Sequence, residues 1–218
     1  MTEKCLGVFA KHWTPGRVKT RLAAAIGPKI AAEVYLGCLR CSLGRFSQLG
    51  CRRLVAYSPP EKRAAFESVL PTGWGLVEQS SGDLGARMSR FFEQRCLAGD
   101  RRVVVVGSDS PSLSIERISA AFELLEDVPV VLGPSEDGGY YLVGLNQPIP
   151  ELFEGIEWGG ERVLEQSLAV LRRVGASAEL LPGWYDLDVE ADLQRLRAEL
   201  ASDPGIDSHL RELLETLK

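Results

Sequence analysis

Val103-Val104-Val105-Val106-Gly107-Ser108-Asp109-Ser110-Pro111-Ser112-Leu113 is the stretch on which the fold turns. Four consecutive β-branched residues read as a strand buried on both faces, which belongs in the middle of a sheet rather than at a half-solvated edge. The chain then breaks at Gly107 and leaves polar groups at the strand's end. Outward from this stretch, strand and helix patterns alternate. Lys4–Ala10, Arg53–Tyr57, Gly75–Glu78, Pro129–Leu132 and Tyr140–Leu145 read as strands. Helical spacing marks Pro28–Gly50, Glu61–Val69, a helix begun by Asp83, Ile115–Leu125, Arg162–Val174, Glu190–Leu200 and Asp207–Leu217. In the Asp83 helix, Leu84, Met88, Phe91, Phe92 and Cys96 share a face. Such alternation predicts a three-layer α/β/α fold with a mostly parallel central sheet, as a single domain over residues 1–218. Ligands on these sheets gather at the carboxyl ends of the strands.

The 218 residues, 45% hydrophobic and 25% charged, suit a globular chain and argue against disorder. A formal net charge of −5 counts against a nucleic-acid partner. No apolar run approaches the ~20 residues of a membrane helix, and Leu6–Ala10 is too short for a signal-peptide core. A cytoplasmic protein without membrane insertion is expected. Five cysteines are an odd number and make a disulfide framework unattractive. Cys38 and Cys41 lie within a periodic helix and are assigned to the core.

One region departs from the acidic average. Lys11, Arg17, Lys19 and Arg21 fall within eleven residues directly after the first strand. Pro15-Gly16 forces a turn, and Gly16 can turn backbone N–H groups toward a phosphate. The arginines can hold a di- or triphosphate through paired N–H groups. The competing reading is a solvated helix start. Neither a Walker A loop nor a dinucleotide fingerprint is present. His12 and Trp13 are read at most as pocket wall, and His209 is given no role.

Carboxylates supply the complementary feature. Asp109 ends the most buried strand and is a candidate magnesium ligand, with helix capping as the alternative. Glu136, Asp137, Gly138, Gly139 and Tyr140 sit in a turn more polar than a simple hairpin needs, and are candidates for a second substrate; solvated turn acids are the plainer reading. Asp186 and Asp188 alternate along extended backbone, so both face one side and invite a cation. Asp188 is equally a natural N-cap, and Asp192 a first-turn helix acid.

Together, Lys11…Pro15-Gly16-Arg17-Val18-Lys19-Thr20-Arg21, Asp83-Leu84-Gly85-Ala86-Arg87-Met88, Gly107-Ser108-Asp109-Ser110-Pro111 and Glu136-Asp137-Gly138-Gly139-Tyr140 resemble a bacterial family of uncharacterised proteins with the GT-A fold of nucleotide-diphospho-sugar transferases. The family was formerly a domain of unknown function. More distantly the chain is similar to phospholactate guanylyltransferase and the molybdenum-cofactor nucleotidyltransferases. The resemblance implies phosphate contacts at Lys11, Arg17, Lys19 and Arg21. It also implies a metal at Asp109 with Asp186 or Asp188, and a base-side wall of Gln79 with Asp83, Leu84 and Gly85. Two positions depart from the pattern: Gly107 and Ser108 stand where an Asp-x-Asp would place its first acid, and Val189 stands where relatives carry Thr.

The expectation is a transferase dependent on Mg2+ (or Mn2+), with Lys19, Asp109 and Asp137 in the chemistry. It would move a nucleotidyl group from an NTP to a small-molecule acceptor with release of pyrophosphate. A glycosyltransferase using a nucleotide sugar is the first alternative and a non-catalytic nucleotide-binding regulator the second. A homodimer is left open.

Overall fold

The computed structural model describes residues 3–200 and 206–217; positions 1–2, 201–205 and 218 of the expected domain lie outside the described residues. Seven strands form one sheet: β1 (Lys4–Lys11), β2 (Arg52–Ser58), β3 (Trp74–Glu78), β4 (Arg102–Gly107), β5 (Val130–Pro134), β6 (Tyr140–Leu145) and β7 (Ala178–Leu180). Their spatial order is β3-β2-β1-β4-β6-β5-β7. The valine strand β4 is therefore central, and β6 alone runs antiparallel to its neighbours. This is the mixed α/β, mostly parallel architecture expected from the sequence.

The helices are α1 (Thr20–Ile26), α2 (Pro28–Phe46), α3 (Arg63–Glu67), α4 (Leu84–Leu97), α5 (Ile115–Leu124), α6 (Val163–Val174), α7 (Glu190–Leu200) and α8 (Ser208–Thr216). Strand alternation divides the core between two layers. Val104 and Val106 pack with Leu39, Leu43, Ile118 and Phe122 of α2 and α5. Val103 and Val105 point the other way, toward Met88 and Phe92 of α4 and Leu171 of α6. Gly7 of β1 is required by this packing, because a Cβ there would lie 2.5 Å from the Phe91 ring.

Several expectations are corrected. The helix from Pro28 ends at Phe46, not Gly50, and the segment expected as helix over Glu61–Val69 is a 3-10 turn followed by the short α3. On α4, Met88, Phe91 and Phe92 are buried, but Leu84 and Cys96, at the two ends of the helix, are exposed. Strand β7 was not expected, and helix α1 answers to the helix start weighed as the competing reading of the basic cluster.

The topology decides where chemistry gathers. β1 and β4 run parallel with Phe9 opposite Gly107, so the loops after them leave the same sheet edge side by side. Gln79 follows β3 at this edge, and the turn between β5 and β6 reaches it too. Segment 184–188 arrives there from β7: Ser135 pairs with Trp184, and the Leu187 N–H donates to the Asp109 carbonyl at 3.0 Å.

Candidate active site

A cleft of about 770 Å³ lies at this edge, and both the basic loop and the β4 turn line it. Lys11, Arg17, Lys19 and Arg21 face it together with Gln79, Asp109 and Asp188. Residues 11–21 and Asp188, far apart in sequence, thus meet around one space. Buried Tyr35 of α2 ties the loops in place: its hydroxyl accepts from the Lys11 N–H at 3.0 Å and lies 2.7 Å from the Ser108 hydroxyl. Burial holds this phenol well above its usual range, so Tyr35 stays neutral.

Lys19 is the exception among the four cations. Its side chain is only 2% exposed, and its ammonium lies 3.2 Å from Asp109 and 3.1 Å from Asp188. Burial alone would lower its pKa; the carboxylates of Asp109 and Asp188 outweigh that and keep it charged. Among described non-glycine residues it alone has positive φ, 48°, directly before α1. That backbone conformation costs of the order of 1 kcal/mol or more and turns the side chain inward among the acids.

The Asp188 alternatives resolve geometrically. Asp192 accepts from the backbone N–H groups of Asp188 and Val189, both at 2.8 Å, and so caps α7. The Asp188 carboxylate instead meets Lys19, with Arg21 at 3.9 Å. Asp186 accepts a hydrogen bond from the Ser110 hydroxyl. Burial first, then the nearby charge of Asp109, pushes its pKa up to about 6. Asp109, Asp186 and Asp188 therefore crowd negative charge around a single ammonium.

Asp109, Asp186 and Asp188 offer the kind of oxygen donor a divalent cation would use. The Asp109 Oδ1 is buried without a hydrogen bond, its close partner being the Lys19 ammonium. The donors are hard oxygens, as magnesium requires. Among the described residues no group of three or more His, Cys, Asp or Glu could hold a metal alone. The arrangement suits an ion completed by phosphate oxygens and water.

The remaining candidates divide. Asp137, Gly139, Tyr140 and Asp186 line a smaller adjoining cavity. Asp137 accepts from the Ser135 hydroxyl and from the Gly139 N–H. Glu136 lines neither space, because Arg195 of α7 draws it away at 2.8 Å while stacking on Tyr185. Gly138 serves close packing: φ is 89°, and a Cβ would fall 1.9 Å from the Glu161 carbonyl oxygen. Gly85 likewise packs under the Phe153 carbonyl and Trp158. Gly16, at φ 77°, makes the turn but lies outside both walls. His12 and Trp13 stack on each other and against Phe66 instead of walling the cleft.

Arg87 was missed. It lines the cleft, held by the Gln79 side-chain oxygen at 3.2 Å and the Gly82 carbonyl at 2.9 Å. Gln79 is itself fixed by donating to the Ala10 and Ala56 carbonyls. Arg87 lies one turn inside α4 beyond Asp83, a spacing that could have flagged it.

The profile of the family described as "Uncharacterized protein conserved in bacteria (DUF2064)" matches residues 45–160. The chain belongs to this family. A protein of Desulfovibrio desulfuricans G20, described as a "putative nucleotide-diphospho-sugar transferase", is 31% identical over 99% of this chain and 95% of its own, with a TM-score of 0.91. Two more distant structures share the fold. A cytidylyltransferase from Leptospira borgpetersenii serovar Hardjo-bovis is 12% identical, covering 99% of this chain and 93% of that one at TM-score 0.62. CMP:2-keto-3-deoxy-manno-octonic acid synthetase complexed with CTP is 13% identical, covering 92% and 99% at 0.56. No curated protein matches the sequence. The DUF2064 chain thus has a nucleotide-diphospho-sugar transferase fold. None of its described helices is long and apolar enough to cross a membrane.

Proposed function

We propose that this DUF2064 protein is a nucleotidyltransferase that moves a nucleoside monophosphate from an NTP to a small acceptor. The observation that carries the reading is the single cleft shared by Lys11, Arg17, Arg21 and Arg87 with Asp109 and Asp188. Three of the four cations hold the β- and γ-phosphates; Arg87 stands on the Gln79 side, beside the α-phosphate and sugar. Asp109, with Asp186 or Asp188, would hold Mg2+ or Mn2+, which would supply positive charge for the α-phosphate and departing pyrophosphate. Lys19 keeps the carboxylates in register and offsets their repulsion.

An acceptor hydroxyl oxygen forms the new bond to the α-phosphorus. The bond to the bridging oxygen breaks, its electron pair leaves on pyrophosphate, and the hydroxyl proton passes to Asp137. Magnesium-dependent pyrophosphate release tests this. Asp109→Asn is expected to lower turnover ~100-fold or more with the fold intact; unchanged turnover rejects Asp109. The description of the 31% identical relative favours a second reading, glycosyl transfer from a nucleotide sugar. Release of UDP or GDP without pyrophosphate would replace the first reading with that one.

A further inference from the structure

The cavity beside the phosphate cleft has about 220 Å³ and shares Phe9, Leu84, Gly107 and Gly159 with it. The two spaces adjoin, and their charge differs. On the cleft Lys11, Arg17, Lys19, Arg21 and Arg87 outnumber Asp83, Asp109 and Asp188. Among the described residues the only charged side chains on the smaller cavity are Asp137 and Asp186; no lysine, arginine or histidine lines it. Much of the rest is apolar or aromatic: Met88, Val105 and Val163, with Tyr140 and Trp158 set edge to face at 6.3 Å and 89°.

Such walls discriminate. A phosphate or carboxylate entering here would lose water beside two acids and meet no cationic side chain in exchange. A hydroxyl or ammonium group, by contrast, donates to carboxylate oxygens. The aromatic faces accept an apolar ring face or a cation. Resting on the transferase reading above, we propose that this cavity binds the acceptor and selects a small neutral or cationic molecule bearing a hydroxyl or amine, against phosphorylated and carboxylated ones. The nucleotide brings all the anionic charge, and the cleft next door accommodates it.

The test uses the full chain with Mg2+, all four α-32P NTPs and, in parallel, sugar-labelled UDP- and GDP-glucose. A bacterial small-molecule extract is first split on anion-exchange resin into flow-through and retained fractions. Transfer of label to molecules of the flow-through alone is expected. Transfer to the retained fraction overturns the acceptor assignment while leaving a transferase. No transfer to either fraction overturns the transferase reading, and the assignment with it. Two variants then place the acceptor. Val163→Trp fills the cavity; Gly160→Leu narrows its mouth at an exposed position where an added Cβ meets only the Glu157 carbonyl, at 3.1 Å. Both are expected to raise the acceptor KM ~tenfold or more with nucleotide Kd within about twofold. An unchanged acceptor KM in a folded variant contradicts the placement.

Discussion

Replacing Asp186 by Asn is expected to stabilise the metal-free protein, and only above a defined pH. The carboxyl is pushed from its ordinary 3.8 to about 6 by burial and by Asp109. The folded state thus holds this proton more tightly than the unfolded chain does. Ionising Asp186 therefore costs stability, a penalty that is absent below about pH 4 and complete above about pH 6. At 1.36 kcal/mol per pH unit the penalty is about 3 kcal/mol. Asn removes it and still accepts the hydrogen bond from Ser110. For a chain of this size each kcal/mol moves Tm by roughly 2–4 °C, so a rise of about 6–12 °C is expected at pH 7.5 in EDTA. Differential scanning calorimetry of both proteins from pH 4 to pH 8 measures it. The difference should shrink to nothing near pH 4. Equal melting at pH 7.5, or a gain that is the same at pH 4, would refute the crowding of charge around Asp186. Adding Mg2+ should raise Tm of the parent protein and narrow the gap to the variant, since a bound cation relieves the same repulsion.

The other perturbations act on the supports of the site. Lys19→Met removes the cation between Asp109 and Asp188; because those partners stay partly hydrated, the cost belongs at the lower end for a broken buried pair, about 3 kcal/mol, read by urea denaturation. A loss under about 1 kcal/mol would show that the ion pairs contribute nothing. Gly138→Ala must move the Glu161 backbone or abandon φ 89°, so a loss of about 2 kcal/mol with displacement of the Asp137 turn is expected. A crystal structure of that variant with an unmoved turn would contradict it.

The fold was legible where one residue pattern carried one meaning. Val103–Val106 could only be a doubly buried strand, and its central place follows from that. β7 escaped notice because its three residues are mostly exposed and carry no apolar pattern. α1 stayed a competing reading because no side chain caps its start; Lys19, in a left-handed conformation, begins it instead. Within the site, position after a strand was enough to bring Lys11, Arg17 and Arg21 to the edge shared with Asp109, since parallel neighbours end together. Direction within a turn was not legible. Glu136 and Asp137 are adjacent, yet only the second faces the cavity, and what diverts the first is Arg195, 59 residues away. Tyr35 matched the apolar stripe of α2, which concealed that its hydroxyl joins two loops from different strands. Lys19 looked like one more phosphate contact; its depth and its carboxylate partners come only from segments meeting across 169 positions.

The most direct test is a double-mutant cycle on Mg-NTP affinity, measured by isothermal titration calorimetry with Arg17→Ala, Asp109→Asn and both together. Among the described residues Arg17 forms no ion pair with Asp109, so any coupling between them must pass through a shared guest. A coupling of about 1 kcal/mol or more, roughly a fivefold departure from additive Kd values, is expected if one phosphorylated ligand bridges the basic loop and the end of β4. Strictly additive losses, or no loss from either substitution, would mean that the two sides of the cleft do not serve the same ligand.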